Sequence, residues 1–89
     1  MQRRTYYFSG HVQGVGFRYT VHHLARNHPV SGYVRNMPDG RVEMVAEGEP
    51  KDLDALFDAV SRQMEGFIRR VDTTEDGPTG EFTGFTIRH

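Results

Sequence analysis

The stretch Gly10-His11-Val12-Gln13-Gly14-Val15-Gly16-Phe17-Arg18 constrains the fold more than any other part of this chain. A period-two alternation enters it and a helical period leaves it, so strand must become helix inside a glycine-punctuated turn. On the strand side, Tyr6, Phe8 and Val12 share one face with Gly10, while Tyr7, Ser9 and His11 share the other. On the helix side, Phe17, Val21, Leu24 and Ala25 fall on one face, and Asn27 and Pro29 mark the end. Glycines let consecutive N–H groups curl around an anion, and a helix start adds unpaired donors and a positive dipole end. Arg18 adds a permanent charge on a planar fork that fits phosphate or carboxylate oxygens. Taken alone, Gly14 and Gly16 are equally compatible with a plain tight turn. No Gly-Lys-Ser/Thr follows, so this is not a P-loop, and it is not a dinucleotide fingerprint.

The remaining elements read off in order. Val30 to Asn36 alternates as a second strand. Met37-Pro38-Asp39-Gly40 is a turn signal, and Arg41 to Gly48 forms the second arm of a hairpin. Pro50 and Asp52 open a helix whose apolar stripe is Leu53, Leu56, Phe57, Val60 and Met64, and Gly66 ends it. Phe67 to Thr74 is a fourth strand. It is expected to carry a bulge, because Ile68 and Val71 are an odd number of residues apart. A polar loop over 75–80 leads to a final short strand holding Phe82, Phe85 and Ile87. The charges Glu43, Glu47, Asp52 and Asp54 read as a solvated face.

The order is β-α-β-β-α-β with a terminal strand. Each helix has one apolar face, which predicts an α+β fold: a ferredoxin-like βαββαβ sandwich, its mostly antiparallel sheet covered on one face by the two helices. The length predicts one domain over residues 1–89. A β-α-β crossover makes its two strands parallel, so their C-terminal ends share one sheet edge. The turn 13–16 and Arg18 follow the first of these strands and Asn36 ends the second. Topology alone therefore brings Arg18 and Asn36 together.

Composition narrows the chemistry. There is no cysteine, which excludes a thiol nucleophile, a disulfide framework and a cysteine-bound zinc. Eleven Lys+Arg against twelve Asp+Glu give no basic excess to attract nucleic acid or an anionic membrane. No apolar h-region follows Arg3 and Arg4, and no run approaches the roughly 20 apolar residues of a membrane span. The expectation is a cytoplasmic protein, monomeric for want of a large unassigned apolar stripe. His22 and His23 are adjacent and point apart on a helix, and no His-Glu-x-x-His pattern occurs, so no metal site is expected. An RNA-binding module can share this element order. It would need stacking aromatics on the open strand faces, where Tyr7 meets the acids Glu43 and Glu47 instead.

Gly10-His11-Val12-Gln13-Gly14-Val15-Gly16-Phe17-Arg18 and, at the matching separation, Gly32-Tyr33-Val34-Arg35-Asn36 with Gly40-Arg41-Val42 and Gly48 resemble the two signatures of the acylphosphatase family. The tail Pro78-Thr79-Gly80-Glu81-Phe82 with Phe85 and Ile87 resembles it too, so the likeness spans essentially the whole chain. Phe8, Pro29 and Met37 are modest departures. The resemblance implies hydrolysis of the carboxyl–phosphate anhydride of a small-molecule acyl phosphate, without cofactor. It also implies that Arg18 holds the phosphate and Asn36 orients the attacking water. Backbone N–H groups of Gln13, Gly14, Val15, Gly16 and Phe17 complete the expected phosphate site, and Tyr33 is a candidate lining for the acyl end.

Two other readings stand beside this one. A non-catalytic anion-binding module of the same fold would keep the glycine turn and Arg18 but would not need Asn36. The acylphosphatase-like N-terminal domain of hydrogenase-maturation carbamoyltransferases is also similar. No zinc-finger cysteines accompany the present residues, which favours a general acylphosphatase.

Overall fold

Each change of hydrophobic period becomes an element boundary in the computed structural model, which describes residues 1–89. The elements are β1 (Gln2–Gly10), α1 (Phe17–Ala25), β2 (Ser31–Asn36), β3 (Val42–Gly48), α2 (Pro50–Gln63), β4 (Ile68–Asp76) and β5 (Phe85–Arg88). One five-stranded sheet has the order β4-β1-β3-β2-β5. β3 runs antiparallel to both β1 and β2, so β1 and β2 are parallel to each other, as the crossover through α1 requires. This is the ferredoxin-like arrangement, with β5 added parallel to β2.

α1 presents Phe17, Val21 and Ala25 to the sheet, and α2 presents Leu53, Leu56 and Val60, followed by Met64 just past its end. These positions repeat at three and four residues, so each helix buries one stripe. Pro50 sits in the first turn of α2, where its missing N–H costs nothing. Tyr6, Phe8, Val34, Val42 and Met44 supply the sheet side of the core. Phe8 is central to it, with its ring centroid 5.0 Å from Phe17 and 6.2 Å from Phe57. The expected bulge falls between β1 and β4: Ser9 pairs with Arg70 but Gly10 with Ile68, leaving Arg69 as the extra residue.

The open face of the sheet differs from the sequence expectation. Glu43 and Glu47 are not solvated; both are buried, as is every residue of β3. The cause is topological. β4 lies at one edge of the sheet and β5 at the other, so residues 77–84 must cross its width. Four strand spacings come to about 19 Å, which eight extended residues span with slack, since they reach roughly 26–29 Å. The crossing chain lies over the face opposite the helices and closes over Glu47, while Tyr33 and Arg35 close over Glu43. Phe82, expected on the final strand, belongs to this crossing instead: its ring sits 5.8 Å from that of Tyr33 and 5.3 Å from the Arg3 guanidinium carbon.

Glu47 is the anchor. Its carboxylate accepts hydrogen bonds from Thr79 N–H (2.8 Å), the Thr79 hydroxyl (2.9 Å) and Gly80 N–H (3.0 Å), with Arg3 at 3.9 Å. Burial pushes its carboxyl up, but these donors and Arg3 outweigh burial and hold it below the usual glutamate value. A group whose pKa is lowered by folding stabilises the fold above its unfolded pKa, and that contribution is lost as pH falls through the folded value. Replacement of Glu47 by Gln should therefore cost about 2–4 kcal/mol at neutral pH, because charge-assisted bonds are lost at a buried site. Urea titrations of both proteins check this. The gap between them should narrow as the pH is taken below 4.5, the ordinary glutamate value.

Candidate functional site

The sheet register sets the distance between the two halves of the site. Phe8 of β1 and Asn36 of β2 both pair with Val42 of β3, so all three lie at one level across the sheet. Two strand spacings, roughly 10 Å, separate Phe8 from Asn36. β1 ends two residues beyond Phe8, and the turn 11–16 carries the chain past the start of β3 to the beginning of α1. The helix N-terminus thus arrives beside Asn36. A crevice of about 170 Å³ opens there, lined by Val12, Gly14, Gly16, Phe17, Arg18, Tyr19 and Asn36.

The turn is built by backbone conformation. Gly14 and Gly16 both have φ of 79°, with Val15 between them outside the left-handed region. That alternation turns successive N–H groups toward one concavity. A Cβ at Gly14 or Gly16 would meet no atom within 4 Å, so the glycines answer to their φ and leave bare backbone at the crevice mouth. Gly16 caps α1, and Thr20 N–H is bonded to Gly16 O at 3.0 Å. The N–H groups of Phe17, Arg18 and Tyr19 precede that bond and have no helical partner.

Arg18 is the charge of the site. Its Nη1 lies 3.4 Å from the Arg88 carbonyl oxygen and 3.2 Å from His89 Nδ1. β5 and the residue after it therefore hold the guanidinium through a carbonyl oxygen and a ring nitrogen. Six other arginines (Arg3, Arg4, Arg35, Arg41, Arg62 and Arg70) are ion-paired with carboxylates, and Arg18 is not among them. Arg18 is the one arginine that lines the crevice, and no carboxylate pairs with it there. Of the residues singled out from the sequence, Gly14, Gly16, Phe17, Arg18 and Asn36 come together in the crevice.

Gln13 and Val15 do not line it. Val15 packs against the core, and the Gln13 side chain turns away to donate to the carbonyl oxygens of Met37 (2.8 Å) and Arg41 (3.0 Å). Gln13 thereby ties the glycine turn to the residue after Asn36. No spacing rule announces that role, because it depends on where the β2–β3 turn lies in space. Tyr19 lines the crevice without being singled out by either signature; a helix starting at 17 is the signal, since it brings residue 19 into the same first turn as Arg18.

Tyr33 does not lie at the crevice. It points to the open face, where its hydroxyl donates to Glu43 Oε1 (2.9 Å) and Arg88 stacks on its ring at 3.8 Å. Arg35 reaches the same carboxylate oxygen at 2.7 Å. Burial pushes the Glu43 carboxyl up, yet the Arg35 and Tyr33 hydrogen bonds leave it below the ordinary value. Tyr33 itself is raised, by burial first and then by its bond to Glu43. Tyr33 is thus a structural platform for Arg88 of β5, outside the crevice.

Fold and site together define a ferredoxin-like sandwich with a glycine-lined crevice where its first strand turns into its first helix. The profile of the acylphosphatase family matches residues 4–87. A curated acylphosphatase of Methanospirillum hungatei is 42% identical over 90 residues, covering 99% of this chain and 98% of that one. One from Marinobacter nauticus is 45% identical over 82 residues, covering 91% and 89%. The crystal structure of acylphosphatase from Bacillus subtilis superposes with a TM-score of 0.89 at 32% identity, covering all of both chains. The chain belongs to the acylphosphatase family and is an enzyme of that class.

The tie made by Gln13 has a measurable consequence. Replacing Gln13 with Ala removes two hydrogen bonds to carbonyls that already accept from Gly40 and Met37 N–H, at 3.1 and 2.8 Å. The stability loss should be about 1 kcal/mol by denaturant titration. Binding of inorganic phosphate, followed by calorimetry, should weaken roughly two- to tenfold as the turn loses its attachment.

Proposed function

We propose that the crevice hydrolyses the carboxyl–phosphate anhydride of acyl phosphates, with Arg18 and the backbone N–H groups of Gly14, Gly16 and Phe17 binding the phosphate and Asn36 orienting the water. The observation that carries this reading is the uncommitted Arg18 guanidinium. It lies beside helix-start N–H groups in a crevice that also holds Asn36 and no carboxylate.

Phosphoryl transfer passes through a loose transition state with charge spread over the peripheral oxygens. Stabilising that charge needs fixed donors more than a covalent nucleophile. Arg18 and the backbone N–H groups supply donors already in place. In the reaction, a P–O bond forms from water and the bond from phosphorus to the acyl oxygen breaks, its electron pair leaving on the carboxylate. A carboxylic acid has a pKa of about 4, so this leaving group departs at neutral pH without a general acid. The Asn36 amide can accept from and donate to a water held in line, but it is a poor base. One water proton therefore passes to a phosphate oxygen of the substrate, giving a carboxylate and dihydrogen phosphate. A module that only binds anions would not need Asn36, and its presence in the crevice favours turnover.

Benzoyl phosphate hydrolysis without added metal tests the assignment. Arg18→Lys keeps the charge but loses the two-pronged geometry, and Asn36→Ala removes the water's partner. Each should lower kcat/KM by ~10²–10³. Inhibition by inorganic phosphate should weaken in Arg18→Lys and persist in Asn36→Ala, and a chelator should change nothing. Near-normal turnover in either variant would remove that residue from the mechanism. An Asn36→Asp protein faster than wild type would show that a protein base had been limiting.

A further inference from the structure

The crevice accounts for the phosphate end of a substrate and leaves the acyl end without a place. A second, more open cavity of about 470 Å³ lies between α1 and the end of α2, lined by Tyr19, Thr20, His23, Leu24 and Gln63. Tyr19 lines both cavities, so the groove begins at the wall of the phosphate crevice. Tyr19 is 64% exposed, which makes it one of only three large apolar side chains left in solvent. Of the other two, Met1 begins the chain and Phe67 adjoins β4, and neither lines a cavity. Tyr19 with His23, and Thr20 with Leu24, are four residues apart, so the groove wall is two rows on one face of α1. No acidic residue lines it, so an anionic substrate meets no repulsion there.

We infer that this groove is the acyl subsite and that Tyr19 is its aromatic platform, selecting acyl phosphates with a planar aromatic group next to the carbonyl over short aliphatic ones. The inference rests on the acyl phosphate reading of the crevice. In-line displacement puts the leaving carboxylate on the side of phosphorus opposite the water. With the water on Asn36, the acyl group leaves the crevice away from Asn36, and Tyr19 is the lining residue through which the crevice continues into the groove. An exposed tyrosine ring offers a flat apolar surface at low conformational cost and prefers an offset or edge-on aromatic partner. The Thr20 hydroxyl, the His23 ring and the Gln63 amide stand further along the groove, where substituents on that ring would meet polar partners.

The test compares kcat/KM for benzoyl phosphate and acetyl phosphate in wild type, Tyr19→Ala and Tyr19→Phe. In Tyr19→Ala the benzoyl-to-acetyl ratio should fall about three- to tenfold, the range that an aromatic contact supplies, with the change in KM. Tyr19→Phe should keep the wild-type ratio, which a lost hydroxyl contact would not. The exposure of the side chain makes both variants foldable, and unchanged thermal melts check this. An equal fall for both substrates, or no change in the ratio, overturns the subsite while leaving the acyl phosphate reading intact. A wild-type protein that hydrolyses neither substrate overturns that reading, and the subsite with it.

Discussion

β3 is the strand on which everything else in this protein depends. It is the only strand flanked by β1 and β2, and by running against both it makes them parallel. Two strands that leave the sheet at the same edge deliver their C-terminal residues to one place. Phe8, Val42 and Asn36 share a register level, so the turn after β1 and the end of β2 cannot drift apart without breaking two ladders of backbone hydrogen bonds. The site is precise because the scaffold beneath it is the most thoroughly buried part of the chain.

Burying a strand on both faces normally calls for apolar side chains on both. Here the second face carries Glu43 and Glu47, and each is buried with its own set of donors. An ionised carboxylate survives burial only if it is paired and hydrogen-bonded. Glu47 meets that condition by gathering the backbone of the crossing chain at Thr79 and Gly80, and Glu43 by gathering Tyr33 and Arg35. These two acids therefore specify where the crossing chain and β2 side chains sit. They also link the open face to the site, since Arg88 stacks on Tyr33 while its carbonyl faces Arg18.

The distribution of arginines separates structure from chemistry. Ion pairs absorb Arg3 and Arg4 at the start of β1 and Arg35 on the open face. Arg18 is positioned by a carbonyl and a ring nitrogen, which orient a guanidinium without neutralising it. A cation kept this way, beside unpaired N–H groups at a helix start, retains its attraction for an anion. In the proposed reaction the carboxylate departs unaided, so the rest of the apparatus can be sparse.

Much of this was legible in the chain. The switch of period at residues 10–17, the Met37–Gly40 turn and the stripe of α2 dictated the element order, and the odd spacing of Ile68 and Val71 disclosed the bulge at Arg69. Those signals are local: they arise from backbone sterics and from which face of one element is apolar. The crossover even carried Arg18 and Asn36 to one edge, because handedness and parallel alignment follow from element order. Alternation could not tell that Glu43 and Glu47 are buried, since a charged residue at every second position looks the same whether water or another segment covers it. The covering chain, the Tyr33 platform, the Gln13 tie and the uncommitted state of Arg18 all depend on contacts between residues far apart in sequence. The sequence by itself determined the elements, their order and the two residues at the shared edge. Only the tertiary structure decided which charges are paired in holding the fold and which arginine faces the crevice without a carboxylate, because that depends on which side chains meet once the sheet has closed.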